Sequence, residues 1–168
     1  GEYDESLKTH TMIDMSEEVV LDYDLIHITP PMSAPTVVKS SPLARNEWLE
    51  LDKETLQHPR YPNVFGLGDV AGIPMGKTGG SIRKQYGVMC ENLISVMNGK
   101  TPDAKYSGYT VCPMIVDYGK VVMVEFDYSG VPTPTFPLDP TKPRWLYWMM
   151  KVYMLKPMTM YGMLADRC

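Results

Sequence analysis

The sequence predicts an α/β fold: the C-terminal portion of a two-dinucleotide-binding-domain architecture, followed by an amphipathic helical tail. Three observations carry this. Tyr61 to Asp69 reads as a turn and a short apolar strand ending in Gly-Asp, and a helical pattern follows from Ser81. Two runs rich in β-branched residues flank Asp117-Tyr118-Gly119. Residues 141–168 combine Trp, Tyr and Met with Lys and Arg.

Each element has a local reason. Gly1 to Ser16 is polar and mixed, and suits a strand with a hairpin. Val19-Val20-Leu21 and Leu25-Ile26-His27-Ile28 have strand composition. Thr29-Pro30-Pro31 stops the second, because proline cannot donate into a ladder. Pro35 to Asn46 reads as a loop, Trp48 to Asp52 as a short alternating strand, and Val64 to Leu67 as a buried strand. Ser81 to Met97 is the best helix: Ile82, Tyr86, Met89, Leu93 and Val96 recur at helical spacing, and Asn98-Gly99 ends it. Tyr109–Val116 and Lys120–Tyr128 are strands, with Gly119 able to take positive φ in the turn between them. Gly130 to Pro143 is proline-rich and extended. Trp145 to Leu155 is a helix stopped by Pro157, and Met158 to Leu164 a second, shorter one.

Composition is globular, with 44% apolar and 21% charged residues, enough at 168 residues for one modest core. No stretch is long enough to span a bilayer, and no signal peptide is expected. The start at Gly1, without Met, reads as a truncated chain. The net charge of −4 is uneven: residues 141–168 hold five Lys or Arg against one Asp, which leaves −8 on residues 1–140. An acidic body repels phosphate, so nucleic acid is excluded as a partner, whereas the basic aromatic tail suits an anionic surface. Three cysteines without a Cys-x-x-Cys, and three scattered histidines, give neither a disulfide framework nor a metal site.

Gly68-Asp69 at a strand's end is where a two-domain flavoprotein holds the ribityl and phosphate part of FAD. Glycine allows close approach and aspartate accepts from a hydroxyl. Lys77-Thr78-Gly79 then leads into a helix start, whose free N–H groups and dipole favour an electron-rich group.

Thr110-Val111-Cys112-Pro113-Met114-Ile115-Val116-Asp117-Tyr118-Gly119-Lys120-Val121, continuing through Glu125-Phe126-Asp127-Tyr128, together with Leu25 to Met32 and the Lys77-Thr78 segment, resembles the C-terminal part of sulfide:quinone oxidoreductase. The likeness runs from about Asp22 to about Gly162. The family's Gly-x-Gly-x-x-Gly turn and first redox cysteine have no counterpart here, so the resemblance implies a C-terminal part of a longer flavoenzyme. On that basis residues 1–47 close the second nucleotide-binding domain, 48–100 return to the FAD domain, 101–140 hold the redox cysteine and quinone region, and 141–168 bind the membrane.

The resemblance implies a role for particular residues. Cys112 would pair with the upstream cysteine and face the flavin. Sulfide would open that disulfide, leaving a persulfide on one sulfur and a thiolate on the other, and two electrons would pass to FAD. Lys77 would lie beside the flavin's pyrimidine edge and stabilise charge there, with Thr78 and Gly79 as donors. Pro30 and Pro31 would form the turn against the flavin. Phe126, Tyr128 and Phe136 are quinone candidates, since a quinone ring stacks on aromatics, and each serves a core equally well. Gln85 and Tyr86 match the polar quinone-side positions of related reductases only loosely. Cys90 reads as a core residue, and Cys168 has no assigned role.

In the tail, Trp145, Trp148, Met149, Val152 and Leu155 would enter a membrane interface while Arg144 and Lys151 meet headgroups. The expected protein is a peripheral membrane one, taking sulfide and a membrane quinone, with homo-oligomerisation left open. Two sequence details depart from the family: Val111 replaces a usually small residue, and Met114-Ile115 stands where Leu and Val are commoner. The alternatives are the flavoprotein subunit of a flavocytochrome c sulfide dehydrogenase, a type II NADH:quinone reductase, and a non-catalytic membrane-binding fragment. The tail speaks against the first and the Cys112 motif against the second.

Overall fold

The computed structural model describes residues 2–4, 9–11 and 22–165. It is mixed α/β, with three two-stranded sheets among the described residues. β1 (Glu2–Asp4) and β2 (Thr9–Thr11) pair antiparallel as the N-terminal hairpin. The expected strand at Val19-Val20-Leu21 lies outside the described residues.

Two expected strands do not form. Leu25 to Ile28 carries no strand, and Leu25, Ile26 and Ile28 are exposed. β-Branched composition specifies a strand only where a neighbour supplies the ladder, and no described strand lies alongside. Val64 to Leu67 contributes one isolated antiparallel bridge, Phe65 to Gln57. Its backbone lies against side chains instead: a Cβ on Gly66 would meet Leu49 Cδ2 at 2.3 Å.

α1 (Thr36–Lys39) is a single turn inside the expected loop. β3 (Ala44–Arg45) and β4 (Trp48–Leu49) pair antiparallel. The predicted Trp48–Asp52 strand shortens to Trp48–Leu49. Beyond it, Asp52 turns the chain by accepting at Oδ1 from the amides of Glu54 (3.0 Å) and Thr55 (2.7 Å). Leu49, Leu51, Leu56, Ala71, Ile73 and Tyr106 form the first core. His58, also buried, ties two loops: Nε2 lies 3.2 Å from the Leu43 carbonyl, and Nδ1 accepts from the Arg60 amide at 3.0 Å.

α2 (Gly79–Met97) forms as predicted, but the face it buries is polar. Ser81, Gln85 and Asn92 are fully buried, whereas Tyr86 is 57% exposed and Ile94 58%. The loops beneath present backbone groups that no ladder pairs, and buried amides and carbonyls require partners. Gln85 Oε1 accepts from the Gly68 amide (2.8 Å) and its Nε2 donates to the Gly76 carbonyl (3.0 Å). Asn92 Nδ2 donates to the carbonyls of Thr55 and Ala104, each at 2.9 Å, while Oδ1 accepts from the Ala104 amide at 3.0 Å.

β5 (Thr110–Asp117) and β6 (Lys120–Phe126) form an antiparallel hairpin that places Cys112 opposite Val124. Gly119 makes the turn at φ +69°, and the register shifts between Ile115 and Asp117. Val121 and Met123 of β6 pack on Tyr147 of α3 (Trp145–Met149) in a second core.

Helical structure continues past Pro157, contrary to the expected stop. A π-helix (Met150–Met154), α4 (Leu155–Pro157), a second π-helix (Met158–Gly162) and a 3₁₀ turn (Met163–Ala165) follow one another. Wider i→i+5 turns on both sides of the proline change the pairing where its missing N–H would break an α-helical ladder. No helix of the described residues is long and apolar enough to cross a membrane.

The buried polar stripe yields a test. Gln85→Ala leaves the Gly68 amide and Gly76 carbonyl without partners, and should cost about 2–4 kcal/mol of unfolding free energy. Ile94→Ala, on the exposed face, should stay within about 0.5 kcal/mol. Urea denaturation of the two variants reads the difference, and equal losses would contradict the assignment of the buried face.

Candidate functional site

The Gly-Asp motif ends in a 3₁₀ turn, Gly68–Val70, rather than on a ladder. Gly68 sits at φ +72°, a conformation that glycine adopts without strain. Its amide is held by Gln85, and Asp69 is exposed beside it. Gln85 is thus a structural clamp on this loop.

Lys77 closes this loop. Its ammonium donates to the carbonyls of Asp69 (2.8 Å) and Ala71 (2.7 Å) and lies 3.5 Å from the centre of the Trp48 ring. Loss of solvation lowers its pKa to about 8, against the opposing charge of Asp69. Both carbonyl bonds and the ring face favour a cation there.

Thr78 caps α2: its Oγ1 accepts from the Ser81 amide at 3.3 Å and lies 2.8 Å from Ser81 Oγ. At Gly79 the helix start is open, and an added Cβ would meet nothing within 4 Å. At Gly80 it is closed, since a Cβ there would lie 2.0 Å from Val111 Cγ1. Glycine at 80 therefore lets the helix start rest on β5, one residue from Cys112.

Cys112 is exposed, and Cys90 is half-buried on α2. Register and alternation put Cys112 on the sheet face of Met114, Val122 and Val124. The opposite face, with Val121 and Met123, packs on the tail. Met114 is 51% exposed, so the cysteine face is open in this chain.

The structure therefore gathers Gly68, Asp69, Lys77, Thr78, Gly79 and the strand of Cys112 around one helix start. It does not gather the quinone candidates. Tyr128 packs edge-on to Tyr106 at 5.8 Å and donates to the Lys53 carbonyl at 2.8 Å, as part of the first core. Phe136 lies 6.2 Å from the Tyr147 ring, beside the second core. Phe126 stands opposite Thr110 at the far end of β6. Pro30 and Pro31 are exposed. Among the described residues no group of His, Cys, Asp or Glu could hold a metal.

The tail also departs from its expected orientation. Lys151 donates to the Pro113 carbonyl, and the backbone of Arg144 bridges Val121. Trp148 is half-buried, its ring near those of Tyr118 and Tyr153. Trp145 and Val152 remain exposed.

Sequence reasoning missed a buried polar centre at Glu125. Its carboxylate accepts from Tyr109 (2.5 Å), from the Thr135 hydroxyl (2.5 Å) and from the Thr135 amide (3.0 Å). Burial, and then the bond to Glu125, raise the Tyr109 hydroxyl above its ordinary pKa. The signal was present: strand alternation puts Glu125 on the face of Val121 and Met123. A cavity of about 310 Å³ opens beside it, lined by Lys84, Lys105, Tyr109 and Thr135.

The arrangement can take a group that is both anionic and hydroxyl-bearing. It has a left-handed glycine, an exposed carboxylate and a helix start left open at Gly79.

The curated proteins that the chain resembles are oxidoreductases by name. The chain is 44% identical over 140 residues to mitochondrial sulfide:quinone oxidoreductase of Mus musculus, covering 83% of this chain and 31% of the relative. The namesake of Dictyostelium discoideum is 38% identical over 147 residues (86% and 32%), and that of Schizosaccharomyces pombe 38% over 135 residues (77% and 29%). Over most of its length the chain is similar to sulfide:quinone oxidoreductases, and it spans about a third of the length of these curated relatives. No family model matches it. Among solved structures, a chain from the cryo-EM F1Fo composite tetramer of the Tetrahymena thermophila mitochondrial ATP synthase matches with a TM-score of 0.66 and 28% identity. That match covers 76% of this chain and 31% of the other.

The lowered pKa of Lys77 predicts a pH signature. The unfolded chain binds the lysine proton up to about pH 10.5, whereas the folded chain releases it near 8. Between these values the unfolded state holds more protons, so this lysine's contribution to stability rises with pH. Relative to Lys77→Met, the wild type should gain stability from pH 8 to 10.5. Parallel stability curves for the two proteins would contradict the desolvated environment.

Proposed function

We propose that the chain is the C-terminal part of a mitochondrial flavoenzyme that oxidises sulfide and passes two electrons through FAD to a membrane quinone. The observation that supports this most is the seating of the α2 start on β5, through Gly80 and Val111 next to exposed Cys112. The likeness to sulfide:quinone oxidoreductases supports Cys112 as the redox cysteine, and the contact of Gly80 with Val111 brings its strand, though not its side-chain face, against the helix start. The missing two thirds of the relatives' length would supply the nucleotide-binding turn and the other cysteine.

Bound FAD supplies a two-electron sink. The chain's residues supply position and charge. Gly68 would let the ribityl and phosphate part of FAD approach closely and Asp69 would accept from a hydroxyl, while the open helix start would face an electron-rich part of the cofactor. Lys77, held by two carbonyls, sets a fixed charge near the cofactor rather than a mobile one. Cys112 enters as half of a disulfide. Hydrosulfide forms a sulfur–sulfur bond to one cysteine, the disulfide bond breaks, and the other sulfur leaves as a thiolate. Transfer of the outer persulfide sulfur to a nucleophilic acceptor would leave two cysteine thiolates, and their re-formation of the disulfide would release the two electrons that bound FAD could take up. Exposed Trp145, Leu146, Val152, Tyr153 and Met154 give the tail an apolar outer side suited to a membrane interface, where a quinone resides.

Two experiments on the full-length protein test this reading. Cys112→Ser should abolish sulfide-dependent quinone reduction with FAD retained, while Cys90→Ser keeps most activity. The opposite pattern would refute the placement of the redox cysteine. Removing residues 141–168 should release the protein from anionic liposomes in a flotation assay. High salt should weaken wild-type binding without eliminating it, since each basic residue contributes on the order of 1 kcal/mol. Equal flotation of both proteins would exclude the tail as the anchor.

A further inference from the structure

We infer that Lys151 is a positioning residue for Cys112, so that the tail takes part in the sulfide half of the reaction as well as in attachment. The inference rests on the reading of Cys112 as the redox cysteine.

The geometry is specific. Pro113 follows Cys112 in β5 and stands opposite Met123. Having no N–H, it can donate no bond to the ladder. Its carbonyl accepts from the ammonium of Lys151, 38 residues later in the chain. Lys151 is half-buried, and its turn is fixed on the hairpin by Tyr147, which is 2% exposed between Val121 and Met123. Glycine at 119 completes the seat, where a Cβ would come within 3.4 Å of Trp145 Cδ1.

β5 is thus held on both sides of Cys112. Val111 is pressed by the α2 start at Gly80, and Pro113 is held by the tail lysine. These two contacts are independent and come from different elements. A side chain between two fixed neighbours keeps its aim, and reaction of two sulfurs depends steeply on aim. A charge-assisted bond to a carbonyl is also among the stronger tethers available to a strand edge. The expected headgroup contact of Lys151 is replaced by this internal one.

The half-reactions separate this role from quinone binding and from general support. In the flavin-loaded full-length protein, stopped-flow absorbance follows flavin reduction by sulfide, then reoxidation of dithionite-reduced flavin by a short-tailed quinone. Lys151→Met should slow reduction by sulfide on the order of 10-fold and leave reoxidation near wild type. Lys151→Arg, which keeps a donor cation, should recover most of the loss. Flavin content and thermal midpoint of both variants are measured alongside. Slowed reoxidation with normal reduction would overturn the inference and assign Lys151 to the quinone side. Equal slowing of both steps, or loss of flavin, would overturn it in favour of plain structural support. Cys112→Ser is run in parallel. If it reduces flavin with sulfide at the wild-type rate, the reading of Cys112 fails. If it is inactive and Lys151→Met is normal, only the role of Lys151 fails.

Discussion

The two bonds of Gln85 are the contact on which the rest of the site depends. This one side chain pairs the Gly68 amide with its oxygen and the Gly76 carbonyl with its nitrogen. It thereby fixes both ends of the loop that carries Asp69 and Lys77. Gly76 makes this possible, since at φ +110° a Cβ would lie 2.5 Å from Gln85 Nε2 and 2.8 Å from the Tyr106 hydroxyl. Lys77 then closes the same loop from outside, through the carbonyls of Asp69 and Ala71. A loop without a ladder becomes rigid because a helix and a lysine pair its backbone.

The same device recurs. Asn92 ties Thr55 and Ala104 to α2, His58 ties Leu43 to the turn at Arg60, and Glu125 ties Thr135 to the hairpin. Each is a buried polar side chain serving backbone groups or hydroxyls of a loop. The described sheets are only two strands wide, so such bonds replace the wide ladders of a larger sheet. This explains how a chain spanning a third of its relatives' length keeps the helix start and the Cys112 strand in contact.

Much of this was legible in the sequence where local chemistry decides. The helix from Ser81, its glycine stop and the hairpin turning at Gly119 follow from periodicity and turn residues. The family resemblance followed from motif order around Cys112. What was not legible depended on partners distant in the chain. Leu25 to Ile28 has strand composition and no described strand beside it. The helical spacing of Ile82, Tyr86 and Met89 marked an apolar face, and Met89 does pack against the first core, yet Tyr86 is exposed and the fully buried positions are Ser81, Gln85 and Asn92. Lys151 looked like a headgroup-facing lysine because its acceptor, the Pro113 carbonyl 38 residues earlier, is visible only in three dimensions.

The central claim is the proposal that Cys112 is one half of the disulfide that sulfide opens. The most direct measurement is mass spectrometry of the full-length flavin-loaded protein after brief treatment with sulfide, without reductant. The account predicts that the peptide carrying Cys112 bears an added sulfur, or is linked through sulfur to a peptide from the part of the protein outside this chain. A reduced flavin with Cys112 neither bearing added sulfur nor linked to a second cysteine, before treatment or after it, would contradict it.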